Sequence, residues 1–296
     1  MIYCYKTFHL QETNNIMKIK YFGTAAAEGI PALFCHCRVC EYARKNGGKD
    51  VRTRSQALID DALLLDFPPD TYMHALTYGL PLHKLHHCLV THAHHDHLYP
   101  YDFFMRSPGY AWPSEEHSAP LNIYGSDFVR KTIDAEISIQ DMENKNVIKY
   151  HTLLPFETYR AGEYEVIPLI AKHRTMQGAY IYIVKKEGKA LLYAHDTGFF
   201  ADETWEYLEK KPVKFDYVSL DCCNGDGPLN SDCHMNVEMN LLVKKRLTEL
   251  NCADEKTIFC VNHFSHNAKV VLYDELVEAV KPYGFIVSYD GMEVEF

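Results

Sequence analysis

The densest group of metal-binding side chains in this sequence is the stretch Thr91-His92-Ala93-His94-His95-Asp96-His97. It follows a short apolar run, Cys88-Leu89-Val90, which is typical of a buried strand. A solvated, histidine-rich loop would account for one or two of these histidines. Three at this spacing, with an aspartate and directly after a buried strand, favour a metal site.

The spacing within this stretch predicts which side chains act together. If the backbone stays extended through His94, alternate side chains share a face, so His92 and His94 point the same way. A turn into a helix would then bring Asp96 and His97 to an adjacent position. The segment could thus offer two imidazoles to one metal ion, and a carboxylate with an imidazole to a second.

Length and composition are those of an ordinary globular chain. It has 296 residues, 47% of them hydrophobic and 24% charged, with no apolar run near the roughly 20 residues of a membrane span. The first residues lack the basic start and apolar core of a signal peptide, so we expect a cytoplasmic protein.

The net charge, 30 − 40 = −10, argues against a broad binding face for long nucleic acid. A small phosphate substrate is still compatible, because bound divalent ions make an acidic pocket locally positive.

A second group of candidate ligands is the run Cys35-His36-Cys37-Arg38-Val39-Cys40, with the pattern C-x-C-x2-C. Three thiols within six residues can supply three corners of a tetrahedral zinc site, and the fourth ligand would come from elsewhere. A redox-active pair is the weaker alternative, because such a pair does not need a third thiol. The roles of three further cysteines near a candidate site stay open: Cys222, Cys223 and Cys233.

The chain alternates strands and helices, with no linker, repeat or low-complexity tract. This indicates one α/β domain, which we expect to begin at Met17 after an N-terminal extension of residues 1–16. Each candidate polar residue follows a strand, where α/β folds place their sites. The aromatic segment 98–120 is expected to be a lid or substrate wall, or else a surface excursion. The pattern after Gly284 predicts a closing hairpin that turns at Asp290-Gly291.

Taken together, the candidate ligands resemble those of the metallo-β-lactamase fold hydrolases. Each follows a strand and they occur in the order of that family, with Asp66 matching its first motif: His92, His94, Asp96, His97, His173, Asp196 and His263. The resemblance covers residues 17–296. It implies a four-layer αββα sandwich in a single domain, in which Asp66 supports the metal site without binding metal.

Within that superfamily the sequence is most similar to the cyclic-phosphate phosphodiesterases of phosphonate breakdown, which act on phosphoribosyl 1,2-cyclic phosphate. Four features carry this closer resemblance: Gly23-Thr24 before the cysteine run, His266 three residues after His263, Cys233-His234 before a helix, and Asp290-Gly291-Met292-Glu293 near the end. In that family the three thiols and the later histidine hold a structural zinc, so His266 would be the missing fourth ligand. Segment 98–120 and the run Asp221-Cys222-Cys223-Asn224 depart from the family pattern.

The resemblance implies a dinuclear active site. Two metal ions about 3.5–4 Å apart can share a hydroxide and clamp the phosphoryl oxygens of an in-line displacement. Zinc or manganese, or else iron, suits such mixed ligands. We expect one ion to be held by His92, His94 and His173, and the other by Asp96, His97 and His263, with Asp196 bridging them; Asp96 is thereby also counted as catalytic.

A cyclic diester also needs a proton for its leaving alkoxide, and His234 is the expected general acid. The alternative for His234 is a histidine at a helix start that makes a local hydrogen bond. His173 could be an ordinary surface histidine, and Asp196 competes with Asp221, another carboxylate at a strand end. Three histidines are expected to play no direct part in metal binding: His36, His95 and His195. His195 either has no role at the metal site or supports one of the ligands.

The function expected from these features is a metal-dependent hydrolase, specifically a phosphodiesterase that opens a small cyclic phosphate. One alternative is a thioester hydrolase or an RNA-processing nuclease on the same core. Another is a non-enzymatic metal-binding protein, which the full ligand set disfavours. The expected partner is a small phosphate-containing substrate, with no membrane and no long nucleic acid, and a homodimer is left open.

Overall fold

Two seven-stranded sheets, packed face to face, form the centre of the molecule. A computed structural model describes residues 15–173, 178–229 and 232–296. The expected extension, residues 1–16, lies almost entirely outside the described residues, so these domain bounds stay a prediction. The strands are β1 Lys18–Gly23, β2 Gln56–Ile59, β3 Leu63–Leu65, β4 His87–Leu89, β5 Leu121–Gly125, β6 Ile148–Thr152, β7 Tyr159–Ala161, β8 Tyr164–Ile170, β9 Tyr180–Lys186, β10 Lys189–Ala194, β11 Tyr217–Asp221, β12 Ile258–Asn262, β13 Phe285–Val287 and β14 Glu293–Glu295.

The first sheet has the order β14-β1-β2-β3-β4-β5-β6, and β3 to β6 run parallel. Its central strands are apolar on both faces, as expected for strands covered on both sides. Leu63 and Leu65 face the second sheet, whereas Leu64 and Cys88 face outward into a separate apolar cluster. This alternation follows from the two-residue period of a strand.

The second sheet has the order β13-β12-β11-β10-β9-β8-β7, with β10 to β13 parallel. Its residues alternate in the same way. Tyr182 and Tyr193 are buried between the sheets, whereas Ile181 and Leu192 face outward. Strand β8 is antiparallel to β9, which is antiparallel to β10, so β8 and β10 run in the same direction.

Helices cover the outer face of each sheet. Buried side chains of α2, α3 and α4 lie on the first sheet, and those of α1, α5, α6 and α7 on the second. The helices are α1 Arg38–Asn46, α2 Thr71–Tyr78, α3 Asp127–Glu136, α4 Ile139–Asn144, α5 Asp202–Lys210, α6 Val237–Glu249 and α7 Tyr273–Val280. The four-layer αββα sandwich predicted from the sequence is therefore confirmed. Of the helices in the described ranges, none has the length and hydropathy needed to cross a membrane.

The closing hairpin predicted after Gly284 is wrong. Strand β13 pairs with β12 in the second sheet, and β14 pairs with β1 in the first. The connection at Asp290 therefore crosses from one sheet to the other. Asp290 is buried there and accepts hydrogen bonds from Thr24 and Thr53. Turn residues alone could not predict this, because the pairing partners lie far away in sequence.

The segment 98–120 forms short 3-10 turns at Pro100–Arg106 and Glu115–His117. It covers a mainly apolar cavity of about 320 Å³ on the outer side of the first sheet. Leu64, Phe103 and Trp112 are among the residues that line it. The lining includes none of the predicted metal ligands, as far as the described residues extend. Whether this segment contacts a substrate stays a prediction.

Candidate metal centre

The strand directions explain why residues far apart in sequence meet at one edge of the sandwich. Parallel strands place their carboxyl ends at the same edge. Strands β3, β10, β11 and β12 end at or immediately before polar residues. Strand β4 ends two residues before Thr91, and β8 ends three residues before His173. The predicted ligands of the active site converge there.

The stretch that follows β4 is held by a buried carboxylate. Thr91 donates its backbone N–H and its hydroxyl to Asp66 Oδ1, at 2.8 and 2.9 Å. The chain then forms a hydrogen-bonded turn in which His97 N lies 3.0 Å from the carbonyl oxygen of His94. A turn, and not the helix considered from the sequence, therefore brings Asp96 and His97 beside the two preceding histidines.

The first donor set consists of His92, His94 and His173. The Nδ1 atom of His94 lies 2.9 Å from His92 Nε2 and 3.1 Å from His173 Nε2. Donor atoms bound to one tetrahedral zinc at 2.0–2.1 Å are about 3.3 Å apart, so these separations suit a shared ion. Burial lowers the pKa of all three imidazoles, which favours the neutral form that binds metal.

The second donor set consists of Asp96, His97, Asp196 and His263, all buried. Asp196 Oδ2 lies 2.5 Å from His97 Nε2 and 3.0 Å from His263 Nε2. Asp96 Oδ2 lies 3.3 Å from His97 Nε2. Imidazole nitrogen and carboxylate oxygen atoms therefore point at a common position.

Asp196 lies between the two sets. Its Oδ1 atom is 3.9 Å from His173 Nε2, and its Oδ2 atom is 3.9 Å from His92 Nε2 as well as close to His97 and His263. One carboxylate oxygen is thus available to each set. This position suits the predicted bridging role and separates Asp196 from its competitor Asp221.

The charge and hydrogen bonding of this region fit bound cations. Four carboxylates are buried here: Asp66, Asp96, Asp196 and Asp221. Among the described residues, His97 Nε2, Asp196 Oδ2 and both ring nitrogens of His263 are buried and crowded together, yet none makes a hydrogen bond of normal geometry. Buried polar atoms are costly unless they are paired or bind metal. The donors, which we call the histidine–aspartate centre, are His92, His94, Asp96, His97, His173, Asp196 and His263.

Two of the carboxylates orient donors from behind. Asp66 Oδ2 accepts from His97 Nδ1 at 2.7 Å, which leaves Nε2 with its lone pair toward the centre. Asp221 Oδ2 lies 3.3 Å from His263 Nδ1. Burial opposes ionisation of Asp221, but His234 and His263 hold its pKa below the usual range. From the sequence, Asp221 is expected only as a competitor of Asp196. Its position at the end of β11, like that of Asp66 after β3, is the signal in the sequence for a supporting carboxylate.

His234 lies beside the centre but is outside both donor sets. Its Nδ1 atom is 3.0 Å from Asp221 Oδ2 and 3.6 Å from Asp196 Oδ1. Burial works against its protonation, but Asp221 and Asp196 raise its pKa above the ordinary value. The expected position at the head of a helix is wrong, because α6 begins only at Val237 with Asn236 as its cap.

The remaining histidines of the motifs point elsewhere. His36 is exposed and bonds to Glu41, and His95 is exposed on the turn. His195 is buried between the sheets, where its Nε2 atom lies 2.7 Å from Ser219 Oγ and its ring contacts Asn262. His195 therefore supports the core behind the centre.

The backbone at the centre adopts an uncommon conformation. Asp66, Asp196 and His263 have backbone φ values of 65°, 51° and 64°. This is the left-handed region, which residues other than glycine rarely adopt. Asp66 and His263 directly follow β3 and β12, and Asp196 lies two residues after the end of β10. Such strain persists where surrounding contacts fix the chain, and it is concentrated at functional sites.

The four donors predicted for a structural zinc also meet. We call this group the cysteine cluster: Cys35, Cys37, Cys40 and His266. His266 Nδ1 is 3.5 Å from the sulfur atoms of both Cys35 and Cys37. Zinc bonds of 2.3 Å to sulfur and 2.0–2.1 Å to nitrogen put tetrahedral neighbours about 3.5 Å apart.

Backbone groups prepare this cluster for an ion. Cys37 N donates to Cys35 Sγ, and Ala32 N donates to Cys40 Sγ. Burial opposes ionisation of Cys37, but hydrogen bonds from Cys40 and His266 lower the pKa of its thiol to about 6. The thiolate of Cys37 is thus accessible near neutral pH, whereas burial raises the pKa of Cys40 to about 12. His266 Nε2 lies 3.7 Å from Glu28, a carboxylate that can orient the ring.

The fold and the convergent donors define a known class of protein, and comparison with family models identifies it. The model described as the beta-lactamase superfamily domain matches residues 63–287, so the chain belongs to that family. The superfamily predicted from the sequence is therefore confirmed. The chain is a metallo-hydrolase of the β-lactamase superfamily, a class whose fold implies divalent metal ions.

Similar solved structures share the whole fold. A diphosphatase of the PhnP family aligns with a TM-score of 0.72 and 19% identity, over 95% of this chain and 98% of that one. Zinc-bound PqqB from Methylobacterium extorquens also gives 0.72, with 16% identity over 94% and 99% of the two chains. Human tRNase Z, short form, gives 0.60 with 14% identity over 94% and 98%. At these identities the likeness shows the fold alone.

A curated protein matches part of the sequence more closely. An octanoyltransferase from Porphyromonas gingivalis is 38% identical over 86 residues, which are 28% of this chain. The match spans only 16% of that protein's length. A match to so small a part of the octanoyltransferase does not show that this chain shares its activity.

Proposed function

We propose that this chain is a metal-dependent phosphodiesterase that opens a small cyclic phosphate diester. The observation that carries the proposal is the position of Asp196 between two donor sets, with His234 3.6 Å from its Oδ1 atom. A paired metal site beside a titratable imidazole meets both needs of diester hydrolysis, an activated water and a proton for the leaving alkoxide.

Each residue of the histidine–aspartate centre has a role in this proposal. His92, His94 and His173 would hold one ion, and Asp96, His97 and His263 the other, with Asp196 shared. When bound, such a pair supplies Lewis-acid activation of water and of the phosphoryl oxygens. Asp66 keeps His97 in the orientation and tautomer that binding requires.

His234 is the proposed general acid. Its Nδ1 atom bonds to Asp221 Oδ2, so Nε2 is the atom left to give a proton to a leaving alkoxide. The ion pair with Asp221 favours the imidazolium form, which is the form that can donate. Asp221 also accepts from the backbone N–H groups of Cys223 and Met235, so its carboxylate is fixed in place.

The cysteine cluster would hold a structural zinc and not take part in the reaction. Its four donors leave no position open for water or substrate, which is the mark of a structural site. His266 follows His263 by three residues, so the same loop serves both metal sites. Manganese, iron and zinc are all compatible with the histidine–aspartate centre, whereas three thiolates favour zinc.

A small substrate is favoured over RNA. A net charge of −10 provides no broad surface for phosphates of a long nucleic acid, whereas bound cations would attract a single phosphate. A thioester hydrolase is the second candidate. The specific observation in its favour is the 38% identity to a segment of an octanoyltransferase, a protein named for acyl transfer.

One set of assays tests the proposal. The full chain should hydrolyse bis-p-nitrophenyl phosphate when zinc or manganese is added, and lose this activity with a chelator. A five-membered ribose 1,2-cyclic phosphate should be a better substrate than a linear diester. Octanoyl thioesters and short RNA serve as comparison substrates. Folded, metal-loaded protein that hydrolyses thioesters but no phosphodiester would refute the proposal in favour of the second candidate.

A further inference from the structure

Two adjacent cysteines after β11 lie in opposite environments. Cys222 is fully buried among apolar side chains on the helix side of the second sheet. Cys223 is partly exposed and lies on the side of the metal centre. The proposed catalytic scheme uses neither thiol.

Cys223 is fixed by the loops that carry the site. Its backbone N–H donates to Asp221 Oδ1 at 3.0 Å. Its carbonyl accepts from Ser265 N at 3.2 Å, and Ser265 is two residues past His263. Loop β11–α6 and the loop after β12 therefore hold this thiol in place beside the metal centre.

The thiol belongs to a further group of converging donors. One donor atom each from Cys223, His234 and His263 lie within 4.8 Å of one another. This group shares His263 with the second set of the histidine–aspartate centre. Three protein ligands with one open position are the usual composition of a reactive zinc site.

We propose that Cys223, His234 and His263 form an accessory site for a thiophilic divalent ion such as zinc, cobalt or cadmium. Thiolate ligands select such metals over manganese and magnesium, which prefer oxygen ligands. Binding releases the thiol proton to solvent and forms a metal–sulfur bond without any change of oxidation state.

Occupation of this accessory site should inhibit turnover. It engages His234, which would no longer donate its proton, and it competes for His263. Zinc would thus activate at low concentration and inhibit in excess, whereas manganese would only activate. This inhibitory consequence rests on the proposed function, but binding of the ion does not.

Cobalt is the probe for binding, because thiolate-to-cobalt charge transfer gives an absorption band. The chain is freed of metal and titrated with cobalt, alongside Cys223→Ala and the matched control Cys222→Ala. The cysteine cluster contributes three thiolates in every variant. We expect Cys223→Ala to lose about one quarter of the band, one thiolate in four, and Cys222→Ala to keep it.

Zinc inhibition is the second readout. The zinc concentration for half inhibition should rise at least about tenfold in Cys223→Ala, because even the loss of a group that only supports a metal ligand weakens binding by about 10-fold to 100-fold. It should stay unchanged in Cys222→Ala. A cobalt band in folded Cys223→Ala equal to that of the parent would overturn the inference. Cys223→Ser replaces it if Cys223→Ala does not fold. A reduced band in a protein that turns over no phosphodiester would keep the inference and refute the proposed function.

Discussion

The histidine–aspartate centre and the cysteine cluster differ in how the chain builds them. Three of the four cluster donors lie within six residues, next to the first turn of α1. The seven donors of the centre come from four segments that follow β4, β8, β10 and β12. Thiols and backbone N–H groups define the cluster, whereas buried carboxylates behind the donors define the centre.

This difference separates a local site from one that only the complete fold can form. The cluster takes three ligands from one short segment at the start of α1 and the fourth from one loop. The centre requires both sheets in register, and its backbone is strained at Asp66, Asp196 and His263. A site of this kind has fixed geometry, which electrostatic catalysis requires.

The largest expected effect comes from Asp196→Asn. It removes the carboxylate shared by the two donor sets, so the chain should lose both ions of the centre and retain the one in the cluster. We expect kcat/KM for bis-p-nitrophenyl phosphate to fall at least about 1,000-fold, or about 4 kcal/mol. Metal analysis and kinetics measure this, with the exposed Asp202→Asn as control. A variant that keeps three ions would remove the bridging role.

The next largest effect is expected for His234→Ala. Loss of a general acid typically slows turnover about 100-fold to 1,000-fold, while the donors of the centre stay in place. Metal content at stoichiometric metal should equal that of the parent, and the exposed His36→Ala should behave as the parent. If His234→Ala binds one metal ion fewer than the parent, His234 is a ligand of the centre and not a general acid.

A smaller effect is expected for Asp66→Asn, because Asp66 binds no metal itself and acts through the orientation of His97 and of the stretch anchored at Thr91. The metal affinity of the centre should fall about 10-fold to 100-fold, and added metal should restore most of the turnover. Titration with zinc or manganese measures this, with the exposed Asp127→Asn as control. Unaltered affinity would show that the buried carboxylate stabilises the fold but not the centre.

The smallest effect on turnover is expected for Cys37→Ala, although its effect on stability is large. The chain should bind two ions in place of three, and its free energy of unfolding should fall by about 3–4 kcal/mol. The loop of His263 stays tied, because Phe264 pairs with Thr24 and Ala26. Turnover should therefore fall less than about tenfold.

The control is Cys252→Ala, which removes a buried thiol outside the cluster and should keep three ions. A Cys37→Ala variant with the same metal content as the parent would exclude the structural site.

Much of the centre was predictable because each donor follows a strand. Asp66, His92 and His263 follow buried apolar runs, and their order along the chain fixed the superfamily. The four-layer sandwich followed from that resemblance. Local rules also account for the start of α3, because Ser126 caps it and its hydroxyl accepts from Val129 N.

What could not be predicted depends on contacts between distant segments. The pairing of β14 with β1 is set by packing of the two sheets, and a turn at Asp290-Gly291 gives no sign of it. The supporting role of Asp221 depends on the position of His234 thirteen residues later, across an irregular loop. The accessory position of Cys223 depends equally on the loop that carries His263.

The strands at the sheet margins also affect how copies of this chain meet. Strands β14, β7 and β13 are only three residues long, and exposed charges stand on β14 at Glu293 and Glu295 and on β7 at Arg160. The remaining margin strand, β6, exposes Lys149. Exposed charges on a margin strand discourage another chain from extending the sheet, whereas β13 exposes Ile286 and no charge. A homodimer, if it forms, should therefore not grow from the charged edges of β14, β6 and β7.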